Sequence, residues 1–206
     1  QNALDYPDTK VRDCMIPRTE INAVDMDDCD VDELKQKFIE SGNSKIVVYK
    51  GDIDHVVGYI HSSEMFRKPK RWQDAIRKMP FVPETMAAQK LMRIFLQQKK
   101  SLGVVVDEFG GTSGLVSLED IVEEIFGDIQ DEHDSDNLVA KKIDDNHFVF
   151  SGRMEIDTAN DRFGLELPES DEYMTISGLI LHEYQSFPKL NEVINIGRYS
   201  FKILKW

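Results

Sequence analysis

Apolar positions recur along the chain with two periods, and the switches between them mark out the elements. Val104-Val105-Val106 is a β-branched run that reads as a buried strand. Residues 107–113 are polar and centre on Gly110-Gly111, which is turn chemistry. Leu115-Val116 form the returning strand, which ends at Ser117. Ile121, Val122, Ile125 and Phe126 then fall at helical spacing, with Gly127 placed to close the helix.

The same order stands earlier in the chain. Residues 11–15 read as a short helix stopped by Pro17, and residues 21–24 as a strand. Asp30 and Glu33 make a capping box for a helix whose apolar stripe is Val31, Leu34, Phe38 and Ile39, ended by Gly42. Ile46-Val47-Val48-Tyr49 is a strand, Gly51-Asp52 a turn and residues 56–60 the return, with a helix from about Ser63. Phe81-Val82 opens the second round. A helix over about residues 86–99 puts Ala88, Leu91, Met92, Phe95 and Leu96 on one face. Val24 corresponds to Val82, Phe38 to Phe95 and Gly58 to Gly114, an offset of 56 to 58 residues. Such a repeat implies two β-α-β-β-α units, each too small to bury its own core. They should pack as a pseudo-symmetric pair with two related clefts between them.

Beyond the repeat the composition reverses. From Glu119 to Asp136 nine carboxylates run without a Lys or Arg. Carboxylate oxygens suit magnesium, but the run lacks the D-x-D-x-D-G loop pattern and reads as a solvated helix end and linker. After it, Phe148, Val149 and Phe150 alternate on a strand, residues 156–163 form a helix stopped by Gly164, and residues 175–181 form another weakened by Gly178. Residues 192–196 and 199–204 are strands joined at Gly197-Arg198. The fold class is therefore α/β for the repeated part, followed by a small α+β domain.

Net charge narrows the partners. At −13 over 206 residues the chain is no nucleic-acid binder, and general adhesion to anionic lipid is disfavoured. Its single dense basic stretch, Arg67-Lys68-Pro69-Lys70-Arg71 with Arg77-Lys78, reads as a solvated linker, with the inner membrane face or nucleotide phosphates as alternatives. With 41% hydrophobic and 31% charged residues and a mean hydropathy of −0.40, the chain reads as a soluble globular piece. No apolar run approaches the roughly 18 residues of a membrane span, and no signal peptide opens the chain. Cys14 and Cys29 give neither a disulfide framework nor metal spacing, and fit a reducing compartment. The five histidines show no ligand spacing. No metal site, nucleophile–base set or other catalytic constellation stands out, so the chain is not read as an enzyme.

One short pattern carries candidate chemistry. Ser117 and Asp120 stand at a helix start as S-x-x-D. They are a capping box, or they hold a nucleotide: a carboxylate can accept from both ribose hydroxyls, and a hydroxyl at a helix N-terminus can hold a phosphate. The first copy has His61 and Glu64 at these positions, one bulkier and one longer, so a single site per pair is expected, built around Asp120.

The run VVVDEFGGTSGLVSLEDIVEEIFGDI resembles the second CBS motif of the CorC/HlyC family, and Met15-Ile16-Pro17-Arg18 resembles the element that opens the CBS pair there. Gly152-Arg153, Leu167-Pro168 and Thr175-Ile176-Ser177-Gly178-Leu179 resemble the transporter-associated domain that follows it. The resemblance implies these domains: 1–9, linker or cloning remnant; 10–66, first CBS motif; 67–78, basic linker; 79–130, second CBS motif; 131–137, acidic linker; 138–206, transporter-associated domain, clipped before a last strand. It implies a regulatory module of a magnesium and cobalt efflux, hemolysin-like membrane protein. The module would lie on the cytoplasmic face of the inner membrane, follow an upstream transmembrane domain and form a homodimer. Its ligand would be adenine nucleotide, ATP with magnesium or AMP. Ile16 resembles the residue whose backbone lies near the base, Ser44 and Lys45 the small polar and basic positions facing the ligand, Leu118 the wall of the adenine, and Ser117 with Asp120 the phosphate and ribose contacts. The alternative is a structural dimerisation module with empty clefts. The C-terminal fold is similar to part of a flavin-binding fold, but none of its residues points to FAD.

Overall fold

The first elements in sequence do not join the strands that follow them. The computed structural model describes residues 9–68, 70–126 and 138–204, in two units, Gln1–Glu124 and Ile125–Trp206. Helix α1 (Val11–Cys14) leads into the two-residue strand β1 (Ile16–Pro17), where proline keeps the preceding residue extended. A 3-10 turn then reaches β2 (Ala23–Asp25). β2 runs parallel to β3 (Lys45–Lys50) across helix α2 (Val31–Ser41), and β4 (Asp52–His61) returns antiparallel, giving the order β2-β3-β4. The capping box of α2 is formed: Glu33 N donates to Asp30 Oδ1 at 2.9 Å and Asp30 N to Glu33 Oε2 at 3.3 Å. Gly42 ends the helix at φ 68°, a conformation that costs glycine nothing.

The second copy repeats this plan. β5 (Phe81–Pro83) runs parallel to β6 (Leu102–Val106) across α3 (Ala88–Gln98), and β7 (Thr112–Ser117) returns and feeds α4 (Leu118–Phe126). Asp107 Oδ1 closes the turn by accepting from Phe109 N at 2.9 Å and Gly111 N at 2.8 Å. β1 completes this sheet, antiparallel to β7 with Ile16 opposite Leu115, so the order is β1-β7-β6-β5. The first copy receives its edge in the same way: Tyr59 N donates to Arg77 O at 2.9 Å and Arg77 N to Tyr59 O at 2.8 Å. Each hairpin is thus flanked by a segment that in sequence precedes the other copy. Gly58 and Gly114 mark the crossings. A Cβ on Gly58 would lie 2.2 Å from Arg77 O, and one on Gly114 2.3 Å from Ile16 O. The matching glycines are required by close backbone approach.

Both faces of β3 are covered, which is why its apolar residues are consecutive rather than alternating. Ile46 and Val48 pack with Leu34, Phe38, Ile60 and Trp72, whereas Val47 joins Val56, Met79, Leu102 and Val104 in a core shared by the two sheets. Two expectations are corrected. Ile39 is 74% exposed: it lies one residue past Phe38, on the solvent side of the Leu34–Phe38 stripe. The helix expected from Ser63 is a 3-10 segment, Ser62–Arg67, because that run has no apolar stripe to bury and Lys68 turns the chain at φ 47°. Gly127 and the acidic stretch over residues 127–137 lie outside the described residues.

The second unit contains the hairpin β8 (Ala140–Asp144)–β9 (His147–Phe150), helices α5 (Ile156–Phe163) and α6 (Ile176–Tyr184), and the hairpin β10 (Val193–Ile196)–β11 (Tyr199–Lys202). β8 is interrupted by Lys141-Lys142 and has no clear apolar pattern. Ile156, Ala159, Leu167, Ile176, Leu179, Ile194 and Ile196 form the core. Ser177 N donates to Gly152 O at 2.9 Å, and a Cβ on Gly152 would meet Ser177 Oγ at 2.0 Å. Gly178, which weakens the helical pattern, sits under Tyr173: a Cβ there would be 2.9 Å from that of Tyr173.

Candidate functional site

The end of β7 and the head of α4 form the candidate site. Asp120 N donates to Ser117 Oγ at 3.1 Å, and Ser117 N to Asp120 Oδ2 at 3.4 Å. The capping box is therefore present, with both side chains only half-buried. The long second bond leaves the carboxylate loosely held, and its other oxygen has no hydrogen bond in this box. Ile16, 37% exposed, lies on the strand beside β7. Cys14, two residues before it, has its thiol pushed up to about 12 by burial first, then by Glu124, Asp13 and Asp120. Burial and these carboxylates disfavour its thiolate form.

Lys45 reaches this region from the first copy. Its Nζ donates to Ser101 Oγ at 3.0 Å, and Ser101 O accepts from Leu118 N, also at 3.0 Å. Ser101 thus joins Lys45 to the start of α4. No sequence pattern singles it out, yet the 57-residue offset maps Ser44 onto it. Ser44, the residue before Lys45, has its carbonyl accepting from Ser62 N at 2.8 Å. Leu118 is 2% exposed and seated in the core. Ile16 therefore lies on the strand beside the one that ends at Ser117, Ser117 and Asp120 are bonded to each other, Lys45 is connected through Ser101, and Ser44 bonds Ser62 next to Lys45.

The matching place in the first copy is occupied by its own side chains. Glu64, 9% exposed, accepts from Arg77 Nη2 at 3.2 Å. His61 Nδ1 lies 2.8 Å from Ser63 Oγ and accepts from Ser63 N at 3.1 Å. Burial first, then the positive charges of Arg77 and Lys45, hold this imidazole below its ordinary value and favour its neutral form.

The two copies are also tied at the far end of their hairpins. Arg18 pairs with Asp54 and donates from Nη1 to Thr112 O at 3.3 Å. Thr112 N donates to Asp54 Oδ1 at 2.9 Å and Thr112 Oγ1 to Ile53 O at 2.7 Å. The arginine of the M-x-P-R element is therefore a clamp across the pair. Among the described residues, no group of three or more His, Cys, Asp or Glu is placed to hold a metal, and no helix is long and apolar enough to cross a membrane.

The model of the CBS domain matches residues 73–127, and that of the CorC/HlyC transporter-associated domain matches residues 141–206. Hemolysin C of Brachyspira hyodysenteriae is 32% identical, covering 98% of this chain and 76% of that protein. The chain belongs to the CorC/HlyC family. Another member, the magnesium and cobalt efflux protein CorC of Vibrio cholerae, is 31% identical over 98% of the chain and 72% of that protein. Among solved structures, the ATP complex of the CBS domain of a bacterial CNNM/CorC family Mg2+ transporter is similar at 35% identity and a TM-score of 0.55, covering 58% of this chain and 88% of that one. A CBS-domain pair with bound AMP from Klebsiella pneumoniae is similar at 32% identity and a TM-score of 0.51, covering 57% and 98%. The duplicated unit of this CorC/HlyC chain is thus a CBS pair, followed by the α+β transporter-associated domain.

Proposed function

We propose that this CorC/HlyC chain is the cytoplasmic regulatory part of a membrane magnesium or cobalt transporter, and that its CBS pair senses adenine nucleotide at the head of α4. The observation that carries this reading is the contrast between the copies. Among the described residues the half-exposed Asp120 carboxylate accepts from the backbone N of Ser117, whereas Glu64 is buried and taken by Arg77. In this reading Asp120 accepts from the ribose hydroxyls, Ser117 and the amides of the helix start receive phosphate, and the backbone of Ile16 borders the base. Lys45 adds positive charge from the other copy. The similar structures with ATP and AMP support an adenine nucleotide, and magnesium would accompany ATP in this reading.

Regulation requires more than binding. The nucleotide must favour one of two arrangements of a dimer, and the membrane portion must respond to that shift. No chemistry on the nucleotide is proposed. The formed capping box favours a second reading, a purely structural module in which Ser117 and Asp120 only start the helix.

A thermal-shift titration with ATP, ADP and AMP, with and without magnesium, on the wild type and Asp120→Ala decides between them. Ligand at about 100 times its dissociation constant adds roughly 2.7 kcal/mol of stability. A saturable shift that the variant loses is the expected result. Absence of a shift with every nucleotide, in a folded dimer, leaves the structural module.

A further inference from the structure

The dense basic stretch lies outside the site described above. Between residues 64 and 78 six cations face two carboxylates, Glu64 and Asp74, a local surplus of four positive charges in a chain of net charge −13. The stretch is anchored at both ends. Glu64 is buried against Arg77 on one side. On the other, Trp72 is 2% exposed and donates from Nε1 to Cys29 O at 2.8 Å, and Gln73 Nε2 donates to Met26 O at 2.9 Å. Between the anchors the side chains of Arg67 and Arg71 are 76% and 72% exposed, and Phe66 is 87% exposed at their edge.

Crowded like charges repel, and a large apolar ring in water forgoes burial. A solvated linker accounts for the cations but gives Phe66 nothing to do. An acidic protein segment would use the cations but would need an apolar pocket of its own to take up Phe66. An anionic bilayer uses both: lysine and arginine settle among the headgroups, and an aromatic ring enters the interfacial layer. The negative charge of the rest of the chain does not cancel the patch, because salt screens charges beyond about 8 Å at physiological ionic strength. This face can therefore approach an anionic surface.

We infer that Phe66, Arg67, Lys68, Lys70 and Arg71 form a docking surface for an anionic lipid bilayer. The inference does not rest on the nucleotide site, since Asp120 is not part of the patch. Co-sedimentation with vesicles of phosphatidylcholine and phosphatidylglycerol, against vesicles of phosphatidylcholine alone, tests it on the chain as it stands. Retention is expected on the anionic vesicles only, weakening as salt is raised. Lys70→Glu/Arg71→Glu should abolish it, Phe66→Ser should weaken it roughly tenfold, and Asp120→Ala should leave it unchanged. An unchanged urea-unfolding midpoint in each variant shows that the fold is kept. Failure to sediment with either vesicle overturns the inference. So does equal retention of the charge-reversed variant. Capture by soluble polyglutamate that Phe66→Ser leaves intact, without vesicle retention, overturns it in favour of an acidic protein partner.

Discussion

At the end of its returning strand the first CBS copy places His61, Glu64 and Arg77, and the second places Ser117 and Asp120. The backbones of the two places are alike: Ser62 N is bonded to Ser44 O in one, and Leu118 N to Ser101 O in the other. The side chains diverge. In the first copy a carboxylate has acquired a permanent cation from the same chain, and the place is closed by an internal ion pair. In the second, among the described residues, the carboxylate accepts from the backbone N of Ser117, and Lys45 reaches across the pair to Ser101. Duplication supplied two equal frames, and a few side chains set them apart.

The largest effect should come from the frames themselves. Gly58→Val and Gly114→Val each drive a side chain into a backbone carbonyl that cannot give way. Each should cost about 3 kcal/mol in urea unfolding, the upper part of the overpacking range. Similar losses confirm that the two crossings are equivalent, whereas a loss at only one breaks the comparison. Next, Glu64→Ala should keep the nucleotide-induced stabilisation of roughly 2.7 kcal/mol that Asp120→Ala removes. If both variants lose it in the thermal-shift titration, the open-versus-closed contrast is wrong. Ser117→Ala should cost about 1 kcal/mol without any nucleotide, measured by urea unfolding, because the helix start loses its cap. A cost near zero would mean that the hydroxyl is kept for a ligand alone.

The smallest effect is a matter of pH. His61 in the folded chain sits below the ordinary value of 6.5, so the unfolded chain takes up the proton first. Stability should therefore fall as pH drops from about 6.5 through the lower folded value, and level off beneath it. The difference between wild type and His61→Asn, followed by unfolding at several pH values, isolates this contribution. An unchanged slope would show that the first cleft is wetter than its burial implies.

Much of this was legible in local patterns. The 56- to 58-residue offset announced a pair. Asp30 with Glu33, and Gly164 after Phe163, bounded their helices as expected. The pairing of β1 with β7 was not legible, because strands separated by nearly a hundred residues leave no periodic trace of each other. Nor was the arginine on Glu64, since a lysine- and arginine-rich stretch gives no hint of which cation folds back. At the candidate site, Ser117 and Asp120 were visible as a helix-start motif, and Ile16 entered through family resemblance. Ser101 was hidden because a lone serine before a strand has many ordinary uses.

The exchanged edges have a mechanical consequence. Residues 9–12 bond to Ala88, Met86 and Glu84, and Ile16 is laced to Leu115. A pull on the leading end of this chain would therefore load the second copy before the first. The strand that takes the strain is the one ending at Ser117. The leader is a handle on the second copy, and force applied there would reach the end of β7, and with it the start of α4, through those few hydrogen bonds.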